Sequence, residues 1–351
     1  MFKRLHATQM RADSELPPEF DARYYRKRYP DLKNLTEREL ENHYASCGIR
    51  DGRQGSPAAN RSEFVKLAGE HASVLEIGPF ANPALRGANV SYFDVLNTQD
   101  LRRRAAAHGV DPKDCPAIDY VSPVGDLSVI DRTFAAVFSS HVIEHQPDLV
   151  MHLQNVARLL EADAHYFLAV PDKRFCFDHF ITESAIAGVI DAHARELRRH
   201  DVRSVVEHLA MTTHNDALRH WHGDHGEPNY KSNGELFRAA VGLALYDPAY
   251  VDSHAWQFTP ESFREIVTLL HELRLSPFSV ERLYPTTFGS NEFYAVLRKR
   301  DMACEALCEQ LPAEFDEKEY LAANPDVAAA AANAAMHYLC FGRKEGRKLH
   351  N

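Results

Sequence analysis

The sequence predicts an α/β fold built on a mostly parallel sheet with helices on both faces. Three observations point to it: short apolar runs that end in a carboxylate or a glycine, amphipathic helical stretches between them, and turn residues where the runs stop. The first element is a helix near residues 62–69. Strand one follows at 74–77, where Val74-Leu75-Glu76-Ile77 runs into Gly78-Pro79-Phe80, as a buried strand does when it turns tightly into a loop. Strand two is Val90-Ser91-Tyr92-Phe93-Asp94, and its terminal acid lies eighteen residues after Glu76, near the spacing at which an acid meets a ribose diol in dinucleotide folds. Strand three lies near 118–121 and strand four at 135–139.

A long amphipathic helix is predicted over 147–160, with Leu149, Leu153, Val156, Leu159 and Leu160 on one face. Strand five is 165–170. A further helix starts at Thr259-Pro260-Glu261, with threonine at the cap and proline in the first turn. Strands at 278–283 and 293–298 close the sheet. The elements from 173 to 257 interrupt this order, so they read as an insertion above the strand ends where open α/β sheets bind ligands.

Composition limits the function classes. The 351 residues carry a formal net charge of −10, and 45% are hydrophobic, which suits a globular chain and disfavours a broad nucleic-acid footprint. No stretch approaches the roughly 18 apolar residues of a membrane span, and a cytoplasmic location is expected. The six cysteines form no C-x-x-C pair, so neither a disulfide scaffold nor a cysteine zinc site is suggested.

The order Val74 to Asp172 resembles a class I S-adenosylmethionine-dependent methyltransferase, well over residues 64–172 and more loosely over 258–300. The resemblance implies a Rossmann-like fold with a seven-stranded sheet and S-adenosylmethionine as cofactor. Glu76, Gly78, Pro79 and Phe80 match the loop after the first strand, and Asp94 matches the carboxylate that holds the ribose hydroxyls. Gly125-Asp126-Leu127 fits the pair near the adenine amino group. Ser140 and His141, ahead of Val142-Ile143-Glu144-His145, match the edge of the cofactor site after strand four. The loop has one early glycine where a full G-x-G-x-x-G has three. That argues against a pyrophosphate cofactor and is tolerable for one without phosphates.

The insertion carries four histidines and two acids in the fourteen residues 213–226. Such density suits a proton acceptor, a divalent metal, or a hydrogen-bonded lid with Trp221 packed inward. His141, His220 and His222 are the candidate catalytic bases. His214, His220, His222, Asp224 and His225 are the candidate metal ligands. The expected activity is methyl transfer to a small-molecule or glycan acceptor. Two alternatives remain: a cofactor-binding scaffold without turnover, and a zinc hydrolase through His141, Glu144 and His145, which spell H-x-x-E-H.

The two ends of the chain repeat one another. Leu16-Pro17-Pro18-Glu19-Phe20-Asp21 recurs as Leu311-Pro312-Ala313-Glu314-Phe315-Asp316, and Tyr25, Pro30 and Asp31 recur as Tyr320, Pro325 and Asp326. After a one-residue slip, His43, Tyr44, Gly48, Gly52 and Arg53 return as His337, Tyr338, Gly342, Gly346 and Arg347. The expected organisation is a helical module over 1–58, the core over 59–172 and 258–300, the insertion over 173–257 as an acceptor lid, and a second module over 301–351. The modules resemble short flanking modules beside bacterial polysaccharide glycosyltransferases. That resemblance implies docking to glycan-synthesis proteins or self-association. Tyr24, Tyr25, Tyr44 and Tyr338 could stack on sugar rings, although at helical spacing such residues usually form core.

Overall fold

The computed structural model describes residues 16–17, 19–246, 251–302, 311–312, 314–329 and 334–350. Seven strands form one sheet in the order β3-β2-β1-β4-β5-β7-β6. They are β1 (Val74–Ile77), β2 (Val90–Asp94), β3 (Tyr120–Val121), β4 (Phe134–Ser140), β5 (Leu160–Pro171), β6 (Phe278–Tyr284) and β7 (Glu292–Lys299). β1 pairs in parallel with β2 and β4, β2 with β3, and β4 with β5, whereas β7 runs antiparallel to β5. This is the Rossmann-like arrangement that the resemblance implies.

The period-two alternation of the strands sorts their side chains between two cores. Leu75, Ile77, Val137, Leu168 and Phe293 pack with the helices Leu149–Arg158 and Pro260–Glu272 on one face. Val74, Ala136, Phe138, Phe167 and Tyr294 pack with Phe64 and Ala68 of the helix Arg61–Gly69 on the other. Thr259 caps its helix with a capping box through Ser262, and Asp148 caps the other through the Met151 amide.

Two adjoining elements, the helix expected over 147–160 and the strand expected over 165–170, differ from expectation. The helix predicted to reach residue 160 ends at Arg158, and β5 begins at Leu160. The register shifts between Phe134 and Ala136, and Asp163 takes φ +61°, so the chain kinks before regular pairing resumes at His165. The apolar spacing of Leu159 and Leu160 fits a helix, but both side chains are buried where the strand joins the sheet.

The described residues fall into two compact units, the second beginning at Lys299. The N-terminal repeat belongs to the first unit, and Asp21 fixes it there. Its carboxylate caps the helix Ala22–Arg28 through the Arg23 and Tyr24 amides, accepts the Tyr284 hydroxyl at 2.7 Å and pairs with Arg282 at 2.9 Å. In the second unit the corresponding Asp316 caps the helix Glu317–Ala323.

The repeat is a packing code. The Tyr25 hydroxyl meets His43 Nδ1 at 3.1 Å, and the Tyr320 hydroxyl meets His337 Nδ1 at 3.0 Å. Arg53 pairs with Asp31 at 2.9 Å and Arg347 with Asp326 at 2.7 Å. Gly48 and Gly342 each leave room for the buried tyrosine of their own copy, because a Cβ at either glycine would strike that hydroxyl. Tyr25 and Tyr338 are therefore core residues, buried where they cannot stack on a sugar ring. No helix among the described residues is long and apolar enough to cross a membrane.

Candidate active site

The register Ile77↔Phe93 brings the ends of β1 and β2 side by side. Gly78 N–H donates to the Phe93 carbonyl at 2.9 Å, and Gly78 turns at φ +69°. A Cβ on Gly78 would lie 2.7 Å from Val142 Cγ2, so bare backbone is required where this loop meets the segment leaving β4. Phe80 at φ +46° and His141 at φ +53° are also left-handed, at the exits of the neighbouring strands β1 and β4. Such conformations cost of order 1–3 kcal/mol each and concentrate at functional sites.

Glu76 is buried, and its two carboxylate oxygens accept the amides of Ala84 (2.7 Å) and Leu85 (2.9 Å). It latches the loop after β1 back onto the strand. Burial pushes its pKa up to about 7 against the pull of those two amides. Asp94 is also buried and accepts the Leu96 amide at 2.9 Å. Burial raises its pKa, opposed by the amides of Leu96, Phe80 and Val95. A carboxylate has about four acceptor sites, so Asp94 keeps capacity for a hydroxyl donor. Asp126 stands exposed at the turn after β3, with both oxygens taken by the amide and hydroxyl of Ser128. Leu127 beside it is buried.

A different kind of site lies at the ends of β4 and β7. His141 Nε2 meets Glu292 Oε2 at 2.9 Å. Glu292 also accepts the Tyr294 hydroxyl at 2.9 Å and pairs with Arg61, whose Nη2 donates to Ser140 Oγ at 2.5 Å. Burial would raise the Glu292 pKa, but His141 and Arg61 bring it down to about 2. Burial would likewise lower the His141 pKa, yet the Glu292 hydrogen bond and the charges of Glu144 and Glu292 carry it above its ordinary value. With Nε2 committed to Glu292, Nδ1 of this partly exposed ring is left facing away, 3.8 Å from Glu144 Oε1.

The histidine-rich segment is only partly assembled as expected. Trp221 packs inward: its ring stacks on Phe175 at 3.9 Å and its Nε1 donates to the Ser290 carbonyl at 2.8 Å. That bond ties the segment to the turn before Glu292. His220 is buried, with Nδ1 3.0 Å from His225 Nδ1 and Nε2 3.1 Å from the His214 carbonyl. His222 is exposed and bonds the Leu218 carbonyl, and Asp224 pairs with Arg219. Among the described residues no hydrogen bond or ion pair links His220 or His222 to His141 or Glu292. The five metal candidates do not converge: His220 and His225 cluster instead with His179, while His222 and Asp224 turn to other partners.

The H-x-x-E-H segment forms no two-histidine helix face. His141 leaves β4 in the left-handed region, and only Ile143–His145 makes a short 3-10 turn. Glu144 and His145 are joined there by His254 from the end of the insertion. Arg61, Glu292 and His254 are site residues that sequence reasoning missed. Glu292 begins a closing strand after Ser290-Asn291 with no local motif, and only the antiparallel pairing of β7 with β5 carries it to the site.

No protein-family model matches this chain, and no curated protein matches it. Solved structures with similar folds include the CcbJ methyltransferase from Streptomyces caelestis, at 13% identity and TM-score 0.34, covering 68% of this chain and 93% of that one. Magnesium protoporphyrin IX methyltransferase from Synechocystis, solved with bound SAH, matches at 12% identity and TM-score 0.32 over 75% of this chain and all of that one. A putative zinc-dependent alcohol dehydrogenase from Rhodobacter sphaeroides matches at 14% identity and TM-score 0.35 over 68% of this chain and 88% of that one. At these values the functional reading rests on the strand order and site residues of this chain.

Proposed function

We propose that this chain is an S-adenosylmethionine-dependent methyltransferase that methylates a hydroxyl of a small-molecule or glycan acceptor. The observation that carries the reading is the β1–β2 register, which sets the Asp94 carboxylate beside a left-handed Gly78 turn. That cradle fits a nucleoside without phosphates: one acid for a ribose diol, one glycine for close approach, and no phosphate-binding glycine run. The cofactor would supply an electrophilic sulfonium methyl. Asp94 would accept the ribose hydroxyls, while Glu76 holds the loop in shape through its two backbone amides.

The chain's contribution to the reaction is positioning and proton removal. Glu292 accepts from His141 Nε2, fixing the tautomer that leaves a lone pair on Nδ1. His141 then takes the acceptor's hydroxyl proton at Nδ1, with Glu292 stabilising the imidazolium and Arg61 and Tyr294 holding Glu292 in place. The insertion over 173–257, anchored through Trp221, would shape the acceptor pocket above the strand ends.

Calorimetric titration tests the cofactor reading. S-adenosylmethionine should bind the wild type in one-to-one stoichiometry, and Asp94→Ala should weaken it by well over about tenfold, as loss of charge-assisted hydrogen bonds does. An unchanged affinity would remove Asp94 from the site.

A further inference from the structure

Glu144 presents an anomaly that its charge effect on His141 does not explain. Its carboxylate is fully buried, and among the described residues neither oxygen has a hydrogen-bond partner. A buried, unpartnered carboxylate is costly, so something is expected to compensate it. Three imidazoles surround it beyond hydrogen-bond length: His141 Nδ1 at 3.8 Å, and His145 Nε2 and His254 Nε2 both at 3.9 Å from Oε1.

The orientation of two of these rings is informative. His145 Nδ1 meets Asp252 Oδ1 at 3.0 Å, and His254 Nδ1 meets the buried Asp178 Oδ2 at 2.6 Å. Each carboxylate claims the Nδ1 proton of its histidine. With Nδ1 so engaged, a neutral ring carries its lone pair on Nε2, the atom that in both histidines lies 3.9 Å from Glu144 Oε1. Lone pairs close to carboxylate oxygens repel, and a cation there, a proton or a metal ion, turns that repulsion into attraction. Carboxylate–histidine pairs of this kind fix the tautomer of metal-ligating histidines.

The backbone holds the arrangement together. The amides of Ala255 and Trp256 both donate to the Glu144 carbonyl, at 2.7 and 3.2 Å, which clamps the His254 segment onto the turn bearing Glu144. The ligand atoms of Glu144, His145 and His254 all lie within 4.8 Å of one another. A tetrahedral ion with bonds near 2.0–2.2 Å holds its ligands about 3.3–3.5 Å apart, so each nitrogen would approach Oε1 by about half an ångström and the two nitrogens would approach each other by at most about 1.5 Å.

From this geometry we infer that Glu144, His145 and His254 form a binding site for one divalent transition-metal ion of the zinc class. Two histidines and a glutamate are a donor set suited to such an ion and leave a fourth position open. Asp252 and Asp178 orient the ligands. The site includes none of the five metal candidates of the histidine-rich segment, and it adjoins the proposed base, since Glu144 Oε1 lies 3.8 Å from His141 Nδ1. The cluster of His179, His220 and His225 differs in chemistry: it has no carboxylate, and His220 already spends both nitrogens on His225 and the His214 carbonyl.

The test uses full-length protein stripped with a chelator and titrated with Zn2+ or Co2+, following stoichiometry by calorimetry and the Co2+ d–d bands by absorption. One equivalent should bind. Glu144→Gln and His254→Gln should each weaken it roughly a hundredfold or more, Asp252→Asn about ten- to a hundredfold, and His225→Ala not at all. Circular dichroism checks folding, and Asp252→Asn decides the matter if the ligand variants unfold. Absence of saturable one-equivalent binding to the wild type would overturn the inference. So would binding that survives the variants at Glu144, His254 and Asp252, or that is lost with His225→Ala.

Discussion

The ends of β1 and β2 carry two buried acids and the start of β7, beside the end of β4, carries one, and the two places hold their acids by opposite means. Glu76 and Asp94 accept backbone amides as hydrogen-bond partners, and burial raises both pKa values. Glu292 is held by Arg61, His141 and Tyr294, and its pKa falls to about 2. A cradle of amides and carboxylate oxygens suits the hydroxyls of an uncharged sugar. An ionic cluster of imidazole, guanidinium and carboxylate suits the movement of a proton. On the proposed function, neighbouring strand ends in one sheet divide binding from chemistry.

Substitutions at the two places should separate those roles. The largest effect is expected from His141→Ala: loss of a general base should lower kcat by about a hundred- to ten-thousandfold while cofactor affinity stays within about twofold. A parallel loss of affinity would place His141 in binding. Asp94→Ala should do the converse, weakening the cofactor by over about tenfold with the ionic cluster intact.

Next in size are the pH effects, and they have opposite signs. The Glu292 pKa is depressed in the folded state, so its stabilisation is full above the unfolded carboxyl value near 4.3 and is lost as pH falls toward about 2. The gap corresponds to roughly 3 kcal/mol at 1.36 kcal/mol per unit. Glu292→Gln should flatten the acid limb of a stability curve measured by urea unfolding. The Glu76 pKa is raised to about 7, so Glu76 favours the folded state most below the unfolded value and progressively less as pH climbs to about 7. Glu76→Gln should remove that decline. Identical curves for the two variants would erase the contrast.

The smallest effect concerns the repeats. Tyr25→Phe and Tyr320→Phe each delete a hydroxyl that meets a histidine, and each should cost about 0.5–1.5 kcal/mol in urea unfolding. Equal costs would mean that the two copies use one packing code in both units.

The legibility of the sequence follows the range of the interactions. The bounds of β1 and β2 were readable because each is a short apolar run stopped by its own acid or glycine, and Gly78 announced its turn. The start of β5 was not, because Leu159 and Leu160 fit a helical face, and only the kink at Asp163 and the sheet decide otherwise. In the site, Asp94 and His141 sit on local motifs. Glu292 and His254 carry no such signal, since antiparallel closure delivers one and the clamp on the Glu144 carbonyl delivers the other. Histidine density drew attention to residues 213–226, yet His222 and Asp224 spend their side chains on the Leu218 carbonyl and on Arg219. Density reports composition, whereas a shared ligand requires convergence.

The central claim is that the Asp94 carboxylate and the Gly78 turn hold a sulfonium nucleoside. The most direct measurement is a crystal structure with S-adenosylhomocysteine. The account predicts both ribose hydroxyls within hydrogen-bond distance of Asp94, about 2.5–3.0 Å, with the nucleoside lying over Gly78. A nucleoside bound elsewhere, with Asp94 facing no sugar, would contradict it.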